Sequence, residues 1–243
     1  MRIYWVNRKR LWTISAALFS IIFTLLVLVS YYRWSGIEAN ANKEAIYQGN
    51  TGKKVVAICV NVDWGEEYIP AMLEEFKKAQ AQVTFFVTGS WAEKNPELLK
   101  QMSEAGHSIQ NHAYKHVHFS SLSDAEAQAQ IKKAEAVIEK IIGKKTRFFA
   151  PPYGEQNDRL VKAAGEIGYE LIMWSVDTID WQKPSPQTIV KRVGNKVHND
   201  AIILMHPTDP TLQALPDLLA YLQDQGYGMI TIDSILVKTD VTS

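Results

Sequence analysis

Val55-Val56-Ala57-Ile58-Cys59-Val60-Asn61-Val62-Asp63-Trp64 is the stretch from which the fold is read. Residues 55–60 form a continuous apolar run of strand length, and past Trp64 the period changes: Ile69, Met72, Leu73 and Phe76 recur at helical spacing. The same alternation follows downstream. Residues 83–87 read as a strand, and a helix over 96–104 is closed by Gly106, whose missing Cβ suits a helix end. Ser123-Asp124-Ala125-Glu126 has the form of a capping box and opens a helix that lasts to Gly143; residues 147–149 are again a strand. Strands over 171–176, 201–205 and 229–232 are interleaved with helices near 159–167, 186–197 and 211–225. About seven such units predict an α/β fold with a parallel sheet that closes, or nearly closes, into a barrel. No internal repeat or low-complexity tract interrupts it.

The chain has 243 residues, 47% apolar and 21% charged, which suits one globular domain of substantial size and a short appendage. Its 26 basic and 26 acidic residues cancel, so the electrostatic footprint of a nucleic-acid binder is missing. Cys59 is the only cysteine, which excludes an intramolecular disulfide and a cysteine-built zinc site. The appendage is N-terminal. Residues 11–33 carry no charge until Arg33, long enough to cross a 30 Å hydrocarbon core, and Trp5, Trp12, Tyr31, Tyr32 and Trp34 bracket them where amphipathic rings settle. Arg2, Arg8, Lys9 and Arg10 precede the stretch, so residues 1–10 are expected in the cytoplasm and the rest outside. This predicts a single-pass signal-anchor in the cell membrane. Ala39-Asn40-Ala41 has the look of a signal-peptidase site, but the apolar run exceeds the usual length and favours an uncleaved anchor. Residues 34–53 read as a linker and 54–238 as the functional domain.

In parallel α/β folds ligands sit beyond the carboxyl ends of the strands. The residues there are unusually polar: Asn61 and Asp63, His112 and His116, Pro151-Pro152-Tyr153-Gly154, Asp177, Asp180 and Trp181, and His206. His112 and His116 are four apart; on one helical turn both imidazoles share a face and offer two nitrogens to a divalent metal. The plainer account of a single histidine, His107 or His118 for instance, is a structural one. His206 ends an apolar strand, where an imidazole suits proton transfer at neutral pH. Asp180 could fix its tautomer, or be an ordinary loop acid. The turn at Tyr153 and Gly154 either stiffens the chain or aims a backbone N–H at a developing oxyanion.

The order of a strand-end acid, His-x-x-x-His, Pro-Pro-Tyr-Gly, Asp-x-x-Asp-Trp and Leu-x-His resembles the NodB-type polysaccharide deacetylases, over nearly all of residues 54–237. Residues 81–87 and Gly106-His107-Ser108-Ile109 resemble the family's surroundings, and residues 45–50 with Trp64-Gly65 are similar to its sporulation-associated, PdaB-like branch. The resemblance implies a distorted or incomplete (β/α) barrel and hydrolysis of an N-acetyl amide on a cell-wall polysaccharide; the protein is expected to be a monomer. It further implies a divalent metal, zinc first and cobalt or manganese otherwise, held by His112, His116 and an acid. His206 would donate a proton to the leaving amine, tuned by Asp180. Tyr153 would give its backbone N–H to the oxyanion, and Tyr153, Pro152, Trp64 and Trp181 would line the sugar.

Three positions break the pattern. Aligned without gaps over residues 53–70, the family's base falls on Asn61 and its metal acid on Val62, and an amide takes no proton near neutral pH. The arginine that orients the base corresponds to Ala150. The paired loss is physically consistent, since a guanidinium left without its carboxylate is costly to bury. Asp63 shares a strand face with Asn61 and is the substitute expected as base or third metal ligand. Arg147 lies on the opposite face from Ala150 and is a poor replacement. Two functions stay open: a working or weakened de-N-acetylase, or a degenerate member that binds wall glycan or an envelope partner through the old cleft, with Trp64, Trp91 and Trp181 either stacking surfaces or core residues.

Overall fold

The computed structural model describes residues 19–20, 22–29 and 44–236. The chain divides into two units, Met1–Ala41 and Asn42–Ser243. Of the first, the described residues are helical and their apolar side chains, Phe19, Phe23 and Leu26 among them, are exposed. Most of the stretch 11–33, and all of the basic segment 1–10, lie outside the described residues. Among the described residues no helix is long and apolar enough to cross a membrane.

The second unit is a parallel half-barrel. Its strands are β1 (Val55–Val62), β2 (Thr84–Val87), β3 (Ser108–Asn111), β4 (Phe148–Phe149), β5 (Glu170–Leu171), β6 (Val176–Asp177), β7 (Ala201–Met205) and β8 (Gly228–Met229). Seven follow the order β5-β4-β3-β2-β1-β7-β6, and the short β8 pairs with the start of β1. β5 and β6 are the two ends of this path, so the barrel is incomplete. The strand period sorts β1 between two cores. Val56, Ile58, Val60 and Val62 pack outward against the helices with Phe76 and Leu218. Ala57 and Cys59 point into the barrel with Phe86, Phe148, Ala150 and Ile202. Burial raises the Cys59 thiol well above its ordinary range, so it stays protonated and packs as a small hydrophobe.

The helices start and stop where capping chemistry directs. Ser123 and Glu126 form the expected capping box for Asp124–Ile142, which ends at Gly143 in the left-handed conformation. Three expectations need correction. The strand read over 171–176 is two short ones, because Ile46 inserts beside the break: its N–H donates to Leu171 O at 2.9 Å and its carbonyl accepts from Met173 N at 2.7 Å. For the same reason the C-terminal part of the 34–53 linker is no free tether. Ile46 bridges to Ile172 and Gln48 to Ala201, so this segment covers the open seam whose edge would otherwise present unpaired backbone groups. The strand read over 229–232 stops at Met229, and a one-turn helix Ile232–Ile235 begins where Ile232 N donates to Thr84 Oγ1 at 2.8 Å.

His107 resolves as a core residue at the amino end of the sheet. Its Nδ1 accepts from Val83 N at 3.2 Å and its ring meets Phe76 and Phe85 edge-on. Burial pushes its pKa down to about 4. Because the folded value lies below the unfolded one near 6.5, the unfolded chain binds the extra proton as pH falls. Stability held above pH 6.5 is therefore expected to fall as pH drops toward 4, by about 2–3 kcal/mol from this group. His107→Asn, whose Oδ1 can keep the bond from Val83, should flatten that part of a urea-denaturation profile against pH.

Candidate active site

The carboxyl rim of the sheet is built in rows that follow strand register. Asn61 pairs with Phe86 and Phe86 with Gln110, while Val60 pairs with Met205, so the residue that follows β7, His206, stands level with Asn61. Two residues further along lie Asp63, Thr88, His112 and Ala150. Asn61 is thus on the floor of the site, on the inward face it shares with Ala57 and Cys59, while the Asp63 row forms the wall, about 6–7 Å higher along the strands.

The wall is cross-linked. Asp63 Oδ1 accepts from Thr88 Oγ1 at 2.7 Å. The His112 ring, buried, bonds through Nδ1 to Ala150 O at 2.7 Å, which leaves its Nε2 for the cleft. Burial first, then the neighbouring His116, push the His112 pKa down to about 3, so the ring is neutral and Nδ1 is the donor. His116 is lowered too, mainly by burial, with Asp63 acting in the opposite direction. The two rings lie 5.2 Å apart. They do not meet from one helical turn, as the spacing suggested; residues 112–116 are a loop, and Ala113 at φ 66° turns it back.

Opposite, Asp180 is fully buried and collects three donors: His206 N at 2.6 Å, His206 Nδ1 at 2.8 Å and Thr211 Oγ1 at 2.6 Å. The tautomer is thereby fixed, with the Nε2 of His206 left to the cleft. The turn that delivers Asp180 is strained, Ile179 standing at φ 52°, and is held by Arg192 Nη1, which donates to Thr178 O at 2.9 Å. Trp64 stands beside His206 with ring planes 6° apart and centroids 6.4 Å apart. It is placed there by Gly65, at φ 83°, where a Cβ would come within 2.2 Å of Pro207 O. Of the three tryptophans open between stacking surface and core, Trp64 and Trp181 are exposed and Trp91 is core, with Nε1 donating to Glu66 at 3.3 Å.

Pro152 is buried and Tyr153 is exposed, at φ 58° and ψ 7°. Gly154 follows at φ 65°, packed on Trp174 so closely that a Cβ would lie 2.7 Å from it. The Tyr153 ring lies flat against His118 at 3.9 Å and edge-on to His116 at 4.4 Å, and Glu155 holds the His118 ring through Nδ1. His118 was read as a surface or core residue; only the fold reveals it as the support of Tyr153. Thr88, Thr211 and Arg192 were also missed, since a hydroxyl or guanidinium far away in sequence carries no local sign of the carboxylate or carbonyl it will meet.

The expected metal set is incomplete. Val62 packs on the helix side, Asn61 Oδ1 has no hydrogen-bond partner, and among the described residues no group of three or more His, Cys, Asp or Glu is arranged to hold a metal ion. His112 and His116 offer two nitrogens, and Asp63, expected as base or third ligand, accepts from Thr88 through Oδ1 and forms no such group with them, which leaves one ligand fewer than a catalytic zinc takes from protein. Leaving Oδ1 buried and unpaired costs about 1–3 kcal/mol. Arg147 turns to Asp233 and Glu170 at the far end of β4 and does not replace the arginine absent at Ala150.

Histidines and an aspartate gathered at the carboxyl rim of a parallel half-barrel of seven strands define the class, that of the CE4 carbohydrate esterases. The chain belongs to the polysaccharide deacetylase family, whose model matches residues 48–172. It is 42% identical to the uncharacterized protein YlxY of Bacillus subtilis over 196 residues, 81% of this chain and 61% of that protein, so it spans less than two thirds of this relative. It is 33% identical to a peptidoglycan-N-acetylglucosamine deacetylase of Bacillus cereus, covering 76% of this chain and 89% of that enzyme. Among solved structures, the wild-type CE4 family pseudoenzyme BA3943 of Bacillus anthracis superimposes with a TM-score of 0.78 at 40% identity, over 81% of this chain and 70% of that one. A mutant of the same pseudoenzyme, described as having restored enzymatic activity, matches equally well at 38% identity, with the same TM-score and 81% of this chain and 72% of that one covered.

Proposed function

We propose that this protein binds N-acetylated cell-wall glycan of the peptidoglycan type in the cleft of a deacetylase fold and hydrolyses it weakly or not at all. One observation carries this reading: the floor of the site holds Asn61, an amide whose Oδ1 is buried without a partner, where a de-N-acetylase needs a carboxylate. Ala150, in the same interior cluster as Cys59 and Phe86, supports it by supplying no guanidinium. The resemblance to a pseudoenzyme of this family agrees. Zinc enters as a loosely held ion on His112 and His116, not as a resident cofactor. The exposed rings of Trp64, Trp181 and Tyr153 are the sugar platform. The segment 11–33, uncharged up to Arg33, would keep the domain at the outer face of the cell membrane, a placement consistent with the exposed apolar side chains of its described residues.

A second reading is favoured by Asp63, whose charge acts on His116: residual de-N-acetylation with Asp63 as base. The two are separated on the full chain in detergent. Titration calorimetry with tetra-N-acetylchitotetraose should show binding that Trp64→Ala and Trp181→Ala each weaken about three- to tenfold, and zinc-supplemented acetate assays should stay near background. Acetate release at the rate of an active family member, lost in Asp63→Ala, would establish the second reading; no binding to the tetramer or to peptidoglycan would end the first.

A further inference from the structure

Asn61 Oδ1 is the one buried side-chain oxygen or nitrogen without a hydrogen-bond partner among the described residues. Asn61 lies near the carboxyl end of β1. The next inward-facing residue beyond it is Asp63 of the wall, and the adjoining strand presents His206 at its level. The groups around it are already committed: His112 Nδ1 to Ala150 O, His206 Nδ1 to Asp180, Asp63 Oδ1 to Thr88. Cys59, two residues before it on the same face, and Ala150 of the same interior cluster bring no charge to this acceptor. A donor brought by a ligand is what the position lacks.

We infer that Asn61 is a specificity residue that accepts a hydrogen bond from the N–H of an intact acetamido group, so that the floor which cleaves N-acetyl sugars in a working enzyme here recognises them uncleaved. The inference rests on the glycan-binding reading and deepens it. The chemistry follows from the amide. A carboxylate at this position would draw a proton or an ammonium; the neutral amide offers an acceptor and donors of modest strength, suited to a neutral acetamide and poorly suited to the desolvated ammonium of a de-N-acetylated sugar. A site that holds a buried polar group for a ligand's N–H rejects ligands that do not satisfy it.

The test compares tetra-N-acetylchitotetraose with fully de-N-acetylated chitotetraose on the full chain in detergent, by calorimetry at pH 6 with chelator present so that no hydrolysis intervenes. The acetylated tetramer is expected to bind at least tenfold more tightly. Asn61→Leu should lose about tenfold for that ligand while raising Tm, since the unpaired acceptor is gone, and Asn61→Asp should reverse the preference toward the amine. A purely structural Asn61 would move Tm in the Leu variant and leave affinity alone, and that result overturns the inference. Equal affinity of the wild-type protein for both tetramers also overturns it while leaving the glycan-binding reading in place; binding of neither overturns both.

Discussion

Acetate release from N-acetylglucosamine oligomers should appear when Asn61→Asp and Ala150→Arg are combined, and should stay near background with either change alone. A positioned general base contributes about 10²–10⁴ in rate, and Asn61 sits level with the tethered His206 on the floor of the cleft, the place from which a base would act. The carboxylate needs its partner. Residue 150 is buried beside Phe86 and Phe148, so an arginine introduced alone leaves a buried guanidinium unpaired, at a cost of about 3–5 kcal/mol. Facing the carboxylate of the Asn61→Asp change, the same guanidinium should regain about 1–3 kcal/mol of coupling in a double-mutant cycle read by urea denaturation. The assay requires excess zinc, because Val62 remains in the helix-side core and His112 and His116 alone do not make a full ligand set. A double variant with positive coupling but no acetate would mean that the third ligand, not the base, is the deficit that silences the site.

Much of this architecture is legible in the sequence wherever the determinant is local. The apolar run at 55–60, the capping box at Ser123 and the strand at Ala201–Met205 are each specified by residues within one element. So are the substitutions at Asn61 and Ala150. What escaped depends on segments meeting from afar. The break between β5 and β6 is made by Ile46, a residue from before the first strand, and nothing near residue 172 announces it. The pairing of His112 with His116 was foreseen for an incorrect geometric reason, since four residues of loop reversed at Ala113 achieve what a helical turn was expected to do. The helix Gly89–Lys94 is too short for a period to show, and the support of Tyr153 by His118 exists only once the Pro-Pro-Tyr-Gly turn folds over the histidine loop.

Retention of Asp180 and His206 invites the argument that a site without catalysis has no use for them. The geometry supplies another use, and a large effect by which to measure it. Asp180 is fully buried and receives the backbone N–H and the ring of His206 and the hydroxyl of Thr211, tying the turn after β6 to the end of β7 and to the first turn of the helix Asp209–Asp224. Asp180→Ala would leave these donors facing an apolar gap and is expected to cost about 3–5 kcal/mol, a fall in Tm of roughly 10 °C or more for a domain of this size. His206→Ala removes only the ring, half-buried at the cleft, and leaves the two bonds to Asp180 Oδ2; it should cost about 1–2 kcal/mol. The ordering of the two variants in a thermal melt decides the matter. If Asp180→Ala is several-fold the more damaging, the pair is kept because it holds the half-barrel's rim together, and its presence says nothing for catalysis. If both are mild and equal, the carboxylate serves the imidazole alone, and a proton-transfer role for His206 gains the support that the floor of the site withholds.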